Sequence, residues 1–435
     1  MTAIAIAGCL HKKNKIKRVL VVSPSSVCAV WIKDLKSFAG FPYFAKVLGN
    51  GKGERLATLG ELQAHKGDEL VIAVINYEVI SRDWATTALL EYDADLIIAD
   101  ESQRIKTPSA QQSKAMHKLG DQARYKLILS GTPVQNNAVD LYSQYRFMDS
   151  SIFGTNFYAF RNRYCVLGGY MQRQIVAYQH ATELKRKVHS QALRVTKAEA
   201  LDLPEQTFEK RYAHLFPTKR RIYEKLRRDG ITELESEEKV TATTVLTKLL
   251  RLQQYTGGFL PDENGKQHAV NTAKLELLDD ILQDYVVDGR QKLVIFARFT
   301  AEIAAIEKLL KKKKIQYGVI HGSIPITDRG NIVKDFQENC ATKVFVAQLQ
   351  CAGLGITLTA ASTAVYYSLN YNYADYAQSL ARIHRIGQES KCHYIHLLVE
   401  DSVDDKTLEA LEAKGDIAKK LVDNWRDYFG EAHSV

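Results

Sequence analysis

The sequence contains no hydrophobic run of the roughly 18–20 residues that a membrane-spanning helix requires. Residues 1–10 are mostly apolar, and Ala7-Gly8-Cys9 superficially resembles a lipoprotein cleavage box. This stretch lacks a positively charged start, and the lysines follow it instead of preceding it, so no signal peptide is predicted. We expect a short helix packed in a core, in a cytoplasmic chain with no membrane partner.

Cysteine is also sparse, and its six positions form no recognisable metal or disulfide pattern. There is no C-x-x-C pair and no Cys/His set at the spacing of a zinc site. Scattered thiols of this kind are typical of buried, reduced cysteines in an intracellular protein. The sequence therefore predicts no disulfides and no structural metal, for cysteines at positions 9, 28, 165, 340, 351 and 392.

The composition is that of an ordinary globular protein. Of the 435 residues, 46% are hydrophobic and 25% are charged, which excludes disordered, collagen-like and coiled-coil classes. The length predicts two or three domains. An excess of 59 Lys and Arg over 50 Asp and Glu gives a net charge of +9. That excess permits a nucleic-acid partner but does not require one, because a solvated basic surface would give the same balance.

Short apolar runs recur between helical stretches in both halves of the chain. Continuous apolar strands bounded by polar turns are typical of a parallel sheet covered on both faces. Most runs end in a small or polar cluster, and ligands of open α/β sheets bind at the carboxyl ends of the strands. The strands are predicted near residues 19–22, 70–75, 96–99, 127–129, 293–296, 317–320, 344–346, 364–367 and 394–399.

The segment between the two strand-rich halves is charged and helical in pattern, and no strand is predicted in it. We therefore predict a first α/β lobe over residues 1–204, a helical connector over 205–275 and a second lobe over 276–435. The apolar spacing after residue 402 predicts helices that close the second lobe. The predicted fold class is α/β, with parallel sheets flanked by helices.

Asp100 and Glu101 directly follow one of the predicted strands. Mg²⁺ binds through one or two carboxylates together with nucleotide phosphates, and a second carboxylate can orient or deprotonate an attacking water. An acidic pair at the start of a helix has the same sequence appearance, since acids favour helix N-termini. On this pattern alone, an acidic pair at a helix start is favoured over a metal site.

Two further motifs follow later strands. Ser130-Gly131-Thr132-Pro133 places small hydroxyl residues after the next strand, although a simple turn has the same composition. Arg382 and Arg385 lie three residues apart and are expected on one face of a helix. Paired guanidinium groups suit a transferring phosphoryl group, and a solvated basic helix is the alternative.

The order of these motifs resembles the Swi/Snf-type branch of helicase superfamily two, with the phage and bacterial members most similar. The resemblance extends over nearly the whole chain, and R-I-H-R-I-G-Q at residues 382–388 is its most specific part. Gln103 and Ser362 depart from the commoner His and Asp. The Ser argues against a chromatin remodeller's substrate. The motifs, in order, are D-E-S-Q, S-G-T-P-V-Q-N, G-L-G-I-T-L-T-A-A-S and Q-S-L-A-R-I-H-R-I-G-Q.

The resemblance implies two RecA-like lobes, ATP and Mg²⁺ as cofactors, and double-stranded DNA as a partner held through its backbone. Asp100 would hold Mg²⁺ through water, Glu101 would act on the attacking water, and Arg382 and Arg385 would be arginine fingers. The implied ATP-site and coupling residues are Ser130, Thr132, Gly353, Gly355 and Gln378. The implied nucleic-acid residues are Ser23, Tyr77, Arg298 and Thr359.

One family motif is missing from the 435 residues. The phosphate loop G-x-x-x-x-G-K-[ST] does not occur, and residues 2–7 resemble the helix that directly follows that loop in relatives. A late start, a split gene and a degenerate ATPase all remain open. We expect a DNA-translocating motor in a form without this loop. The alternatives are a non-catalytic nucleic-acid-binding module and a subunit whose loop is supplied by a separate polypeptide.

Overall fold

The computed structural model describes residues 1–422 except positions 50, 136, 169–173, 196, 237–241 and 355. Residues Met1–Arg194 together with residues 417–422 form one compact unit, and residues Val195–Asp416 form a second. Each unit contains its own main parallel sheet with helices on both faces, which confirms the predicted fold class. None of the helices in the described part of the chain is long and apolar enough to cross a membrane.

The first unit contains a five-stranded sheet in the order β2-β3-β1-β4-β5 and a separate two-stranded hairpin, β6–β7. Its strands are β1 (Arg18–Ser23), β2 (Tyr43–Val47), β3 (Leu70–Asn76), β4 (Leu96–Asp100), β5 (Tyr125–Leu129), β6 (Cys165–Gly168) and β7 (Gln174–Tyr178). Its helices are α1 (Thr2–Lys12), α2 (Cys28–Phe38), α3 (Lys52–Ala64), α4 (Tyr77–Ile80), α5 (Asp83–Tyr92), α6 (Gln111–Gln122), α7 (Asp140–Met148), α8 (Ser150–Phe153), α9 (Phe157–Tyr164) and α10 (Ala181–His189). A 3-10 turn covers Ser102–Ile105.

The apolar strands of this sheet are continuous because both of its faces are buried. Side chains alternate across a strand, so Val19 and Val21 pack with α1 and α2, whereas Leu20 and Val22 pack with α3, α5 and α6. The five strands run parallel, with Ser23 beside Asn76 in the pairing of β1 and β3. The carboxyl ends of the strands therefore meet at one edge of the sheet.

The second unit contains a six-stranded parallel sheet in the order β12-β13-β11-β14-β15-β8 and a small β9–β10 hairpin. Its strands are β8 (Gln206–Ala213), β9 (Phe259–Pro261), β10 (Gln267–Ala269), β11 (Leu293–Ala297), β12 (Gln316–Ile320), β13 (Thr342–Gln348), β14 (Thr363–Tyr366) and β15 (Cys392–Val399). Its helices are α11 (Lys197–Ala200), α12 (Pro217–Ser236), α13 (Ala242–Thr256), α14 (Ala273–Ile281), α15 (Thr300–Lys312), α16 (Ile326–Glu338), α17 (Tyr373–Ile383) and α18 (Val403–Val422). A π-helical turn covers Leu282–Asp288, and a 3-10 turn covers Leu349–Leu354.

The prediction that residues 205–275 contain no strand is wrong. β8 pairs with β15 along its whole length, from Gln206 beside Cys392 to Ala213 beside Val399. All of its side chains except Ala213 are half-buried or exposed because it is the edge strand of the sheet, and most are polar or charged, so it lacks the continuous apolar pattern of the inner strands. The helices predicted for this segment are present as α12 and α13.

Candidate functional site

The carboxylate of Asp100 lies at the carboxyl end of β4, held by hydrogen bonds to both of its oxygens. The indole N–H of Trp31 donates to Oδ2 at 2.9 Å, and the backbone N–H of Glu101 donates to Oδ1 at 3.0 Å. Tyr77 donates from its hydroxyl to the backbone carbonyl of Asp100 at 2.8 Å. Burial raises the pKa of Asp100 above its ordinary value, and the Trp31 hydrogen bond partly offsets that increase. The side chain is therefore fixed in orientation.

Glu101 begins the loop after β4 with a left-handed backbone, at φ 52° and ψ 53°. This conformation is uncommon for a residue with a Cβ and costs about 1–2 kcal/mol. It redirects the chain sharply, so the Glu101 side chain leaves the line of the strand. The carboxylate oxygen Oε2 then accepts a hydrogen bond from Gln103 Nε2 at 2.5 Å.

Gln103 joins this carboxylate to the loop that follows β5. Its Oε1 accepts a hydrogen bond from the hydroxyl of Ser130 at 2.7 Å, and Ser130 Oγ accepts one from the backbone N–H of Thr132 at 3.1 Å. A continuous hydrogen-bonded chain thus connects Glu101 with Ser130 and Thr132. In the sequence, Gln103 is recognised only as a minor departure from the family pattern. Its bridging role could not be found from spacing, since its partner lies 27 positions away.

A second buried glutamine ties the same two loops to α7. Ser102 donates from Oγ to Gln144 Oε1 at 2.7 Å, and Gln144 Nε2 donates to the Pro133 carbonyl at 2.8 Å. Ser102 and Gln144 are fully buried. A buried amide whose donor and acceptor are both satisfied fixes its neighbours, so the loops after β4 and β5 are held to one another twice.

Ser23 and Tyr77, two residues with an implied nucleic-acid role, are both fully buried. Ser23 Oγ lies 3.3 Å from Cys28 Sγ, and Tyr77 makes the contact with Asp100 described above. In this structure both side chains serve internal contacts at the carboxyl edge of the sheet. Their contact with nucleic acid stays a prediction.

The residues at this edge fit the magnesium ion that the resemblance implies. Each Asp100 oxygen accepts one hydrogen bond, which leaves a lone pair on each for a metal-bound water. The adjacent Glu101 carboxylate adds negative charge at the same strand end. Oxygen ligands of this kind, few in number, suit Mg²⁺. Asp100 is the residue that would hold it.

The carboxyl edge of the second unit presents Arg298 after β11. Arg298 is half-buried, and its guanidinium donates to Gln253 Oε1 from α13 and packs over the Phe299 ring, 4.8 Å from the centroid. Gln348 at the end of β13 donates to the Arg298 carbonyl at 3.2 Å and accepts from the Gly322 N–H at 3.1 Å. These contacts bring the ends of β11, β12 and β13 together. The nucleic-acid role of Arg298 stays a prediction.

The remaining implied residues of the second unit lie between β13 and the end of α17. Gly353 is in the 3-10 turn Leu349–Leu354, and Gly355 lies outside the described residues. Thr359 accepts a hydrogen bond at Oγ1 from Gln337 Nε2 at 3.3 Å. Gln378 is half-buried on α17. The positions of these residues do not test their roles toward ATP and nucleic acid, and those roles stay predictions.

The expectation that Arg382 and Arg385 share a helix face is wrong. α17 ends at Ile383, so Arg382 is helical and buried whereas Arg385 is exposed beyond the helix. Gln388 ends the helix by donating from Nε2 to the Ile383 carbonyl at 3.2 Å, and its own N–H bonds to the Arg385 carbonyl. The three-residue spacing therefore spans a helix end. The arginine-finger role stays a prediction for each residue.

Comparison with known proteins identifies the family of the chain. A family model described as the SNF2-related domain matches residues 1–257, and the helicase conserved C-terminal domain matches residues 273–387. An uncharacterized ATP-dependent helicase of Mycoplasma genitalium is 24% identical over 97% of this chain and 39% of its own length. The putative ATP-dependent helicase/translocase YwqA of Bacillus subtilis is 26% identical over 97% of this chain and 45% of its own.

Among solved structures, the SWI2/SNF2 ATPase core of Sulfolobus solfataricus in complex with dsDNA is 24% identical to this chain. The match covers 99% of this chain and 87% of that one, with a TM-score of 0.43. The chain spans less than half the length of the two bacterial relatives. Since the SNF2-related model alone matches more than half of the 435 residues, the chain belongs to the SNF2-related family, the Swi/Snf branch of helicase superfamily two.

Proposed function

We propose that this chain is the motor of an ATP-dependent DNA translocase that uses Mg²⁺ and tracks along double-stranded DNA through backbone contacts. It would act in the cytoplasm of a bacterial or phage-infected cell. The family supports the ATP-dependent class, and the relatives from Mycoplasma and Bacillus support the bacterial setting. The observation that carries the proposal is the hydrogen-bonded chain from Glu101 through Gln103 to Ser130 and Thr132.

This chain of bonds has the connectivity that a coupled ATPase needs. Glu101 is the residue that would orient or deprotonate the attacking water, and Asp100 beside it would hold Mg²⁺ through water. Mg²⁺ would neutralise negative charge on the nucleotide phosphates. Through Gln103, a change at Glu101 would reach the loop after β5 by two side-chain hydrogen bonds. The Ser130–Thr132 loop is the segment that would couple hydrolysis to nucleic acid.

The arginines of the second unit complete the proposed assignment. Arg382 and Arg385 would supply the positive charge that stabilises a transferring phosphoryl group, and Gln378, Gly353 and Gly355 would lie beside the nucleotide. Arg382 is buried and its NH1 bonds to the Ile356 carbonyl at 3.4 Å, whereas Arg385 is exposed. Arg382 is therefore packed inside the second unit, whereas Arg385 is accessible to solvent.

We further propose that the motor acts in a form whose phosphate loop lies outside these 435 residues. The motif is absent from the sequence, and no other Gly-rich turn follows a strand in the required position. β5 supports the proposal, because among the described strands it pairs only with β4 and all five of its side chains are half-buried. A further parallel strand beside β5 would pair with the backbone groups on the side facing away from β4, and its following loop would lie at the same carboxyl edge of the sheet as Asp100.

The test measures ATP binding and hydrolysis in two forms of the protein. The 435-residue chain alone should bind Mg²⁺-ATP weakly or not at all by titration calorimetry. The same chain, preceded by roughly 30–40 residues that supply a strand and a phosphate loop, should bind it and hydrolyse it with DNA stimulation. Tight Mg²⁺-dependent ATP binding by the shorter form would contradict the missing-loop proposal. Binding without DNA-stimulated hydrolysis by the longer form would favour the non-catalytic module.

Glu101→Gln in the longer form should reduce DNA-stimulated hydrolysis by at least 100-fold and leave ATP binding within a few-fold of the parent. General-base catalysis contributes roughly 10²–10⁴-fold, and the amide keeps the size and the contact with Gln103. Glu91→Gln is the matched control, since Glu91 is an exposed carboxylate on α5 in the same unit. Hydrolysis by Glu101→Gln at more than a tenth of the parent rate would contradict the assignment.

A further inference from the structure

Residues 150–194 of the first unit form a strongly basic subdomain, here called the satellite, outside the proposed catalytic edge. It contains seven Lys or Arg, one Glu and no Asp, which gives a formal charge of +6. The whole chain has a net charge of +9. About a tenth of the sequence therefore carries two thirds of the excess positive charge.

The satellite is rigidly attached to the first unit by an aromatic core. Phe153, Phe160 and Tyr164 lie against one another with ring centroids 4.9–5.9 Å apart, and Tyr142 and Tyr145 of α7 contact the same group. The hydroxyl of Tyr145 donates to the Val188 carbonyl of α10 at 2.7 Å. α7 also carries Gln144, which bonds to the loop after β5. The satellite is thus joined to the catalytic edge through α7 and through Val134 and Ala138 of the loop after β5, which pack in the same cluster.

The one acidic residue of the satellite is used internally. Glu183 accepts hydrogen bonds from Arg163 Nε at 3.1 Å and from the Tyr164 hydroxyl at 2.9 Å, and Lys187 Nζ lies 3.5 Å away. The Arg163 hydrogen bond lowers the pKa of Glu183 to about 2, so it stays ionised at neutral pH. This carboxylate ties α9 to α10 and can neutralise only one cation. The formal charge of the satellite is +6 with this carboxylate included.

The exposed face favours a phosphate backbone over a stacked base. Tyr158 is 64% exposed, but the Arg161 guanidinium lies 5.1 Å from its ring centroid and covers one face. Arg186 is exposed on α10, between Lys185 and Lys187. Arg186 of α10 is exposed, and the exposed ring of Tyr158 on α9 already contacts an arginine, so these groups suit phosphate contacts better than base stacking.

We propose that the satellite binds the phosphate backbone of duplex DNA, as a second contact surface separate from the strand ends that carry Asp100 and Ser130. The proposal rests on the DNA-translocase function proposed above and specifies where its DNA is held. α10 supplies the phosphate contacts, and α7 connects the bound satellite to the loop after β5. DNA at this surface would thereby hold the coupling loop at a fixed distance from the duplex.

The experiment measures the affinity of the chain for a fluorescent duplex of unrelated sequence at several salt concentrations. The logarithm of the association constant falls as the logarithm of the salt concentration rises. Lys185→Gln/Arg186→Gln should make this slope shallower by about 1.8, since each lost phosphate contact removes about 0.9 from its magnitude. Lys311→Gln/Lys312→Gln is the matched control, with the same charge change in the last turn of α15. The control should change the slope by less than 0.5. Lys185→Arg/Arg186→Lys, which preserves both charges, should retain the parent slope.

Two outcomes overturn the proposal in distinguishable ways. If the parent binds duplex with a steep salt dependence and the satellite variant keeps the same slope, DNA contacts other residues and only the satellite proposal fails. Equal slope changes in the satellite and control variants would likewise show that the effect is of net charge and not of position. If the parent shows no salt-dependent DNA binding, the translocase proposal fails together with this one.

Discussion

Lys274 and Asp404 form a buried ion pair in the second unit, and breaking it should have a large and local effect on stability. Lys274 is 1% exposed, and its Nζ lies 2.7 Å from Asp404 Oδ2 and 3.1 Å from the Tyr367 carbonyl. Asp404 also accepts hydrogen bonds from the Val399 N–H at 3.0 Å and the Thr256 hydroxyl at 2.9 Å. The pair therefore joins α13, α14, β15 and α18.

Lys274→Met keeps the aliphatic stem but leaves the Asp404 carboxylate buried without its cation. Removal of one partner from a buried pair costs about 3–5 kcal/mol, most of it the desolvation of the remaining charge. At a urea dependence of about 2–3 kcal/mol per M, the unfolding midpoint of the second unit should fall by about 1.5 M. Lys274→Met/Asp404→Asn removes both charges, so its free energy of unfolding should be higher than that of Lys274→Met and lower than that of the parent.

The tryptophans allow the two units to be followed separately. Trp31 and Trp84 lie in the first unit, and residues 195–416 contain no tryptophan. In a Trp425→Phe background, fluorescence reports the first unit, while far-UV circular dichroism reports both. In a urea titration, Lys274→Met should lower the midpoint of the second unit's circular-dichroism transition. The midpoint of the fluorescence transition, which reports the first unit, should not change. A loss below 1 kcal/mol, or an equal shift of the fluorescence transition, would refute the reasoning.

Two further predictions concern other buried carboxylates. Burial raises the pKa of Glu302 to about 7 from an ordinary 4.5, so the folded state holds the proton more tightly and stability is lost as pH rises between these values. Urea titrations at pH 5 and 8 should show Glu302→Gln gaining about 3 kcal/mol relative to the parent over that interval, and a pH-independent difference would contradict this. Trp31→Phe removes the donor to Asp100 Oδ2 and should raise the pKa of Asp100, seen by carboxyl NMR titration. It should also slow hydrolysis by the loop-bearing form about 10- to 100-fold, because a hydrogen bond to a charged group contributes about 1.5–3 kcal/mol. An unchanged carboxyl titration would show that Trp31 does not tune the site.

Sequence patterns predicted the inner strands because those strands are buried on both faces. Leu293 to Ala297, for example, are all fully buried, and such a run contains no polar residue that could obscure it. The same reasoning missed β2, whose five side chains are all half-buried at the sheet edge. It also missed β8, where the exposed residues Phe208, Lys210 and Tyr212 alternate with half-buried polar or charged ones. An edge strand has one unpaired side, and its pattern does not differ clearly from that of a loop or a helix.

The candidate site likewise contains residues that could be predicted from the sequence and residues that could not. Asp100 and Glu101 could be predicted because their strand is apolar and they follow it directly. Gln103 could not be recognised, since its importance comes from Ser130, which the fold brings beside it from the next strand. The spacing of Arg382 and Arg385 predicted a shared helix face, but Gln388 ends the helix between them. Local spacing carries no information on where a side chain from a later turn will cap a helix.

The pairing of β8 with β15 has a consequence for how the second unit is made and divided. Thr207 and His393 are hydrogen-bonded neighbours although they lie 186 positions apart, so the sheet cannot be completed until almost the whole unit has left the ribosome. During synthesis, β8 stays unpaired until β15 has been made, and its charged side chains keep the unpaired strand soluble. A fragment that begins at residue 276 would expose the full edge of β15 and should aggregate. A fragment that begins near residue 200 retains β8 to cover that edge and is the piece to express for study of the second unit in isolation.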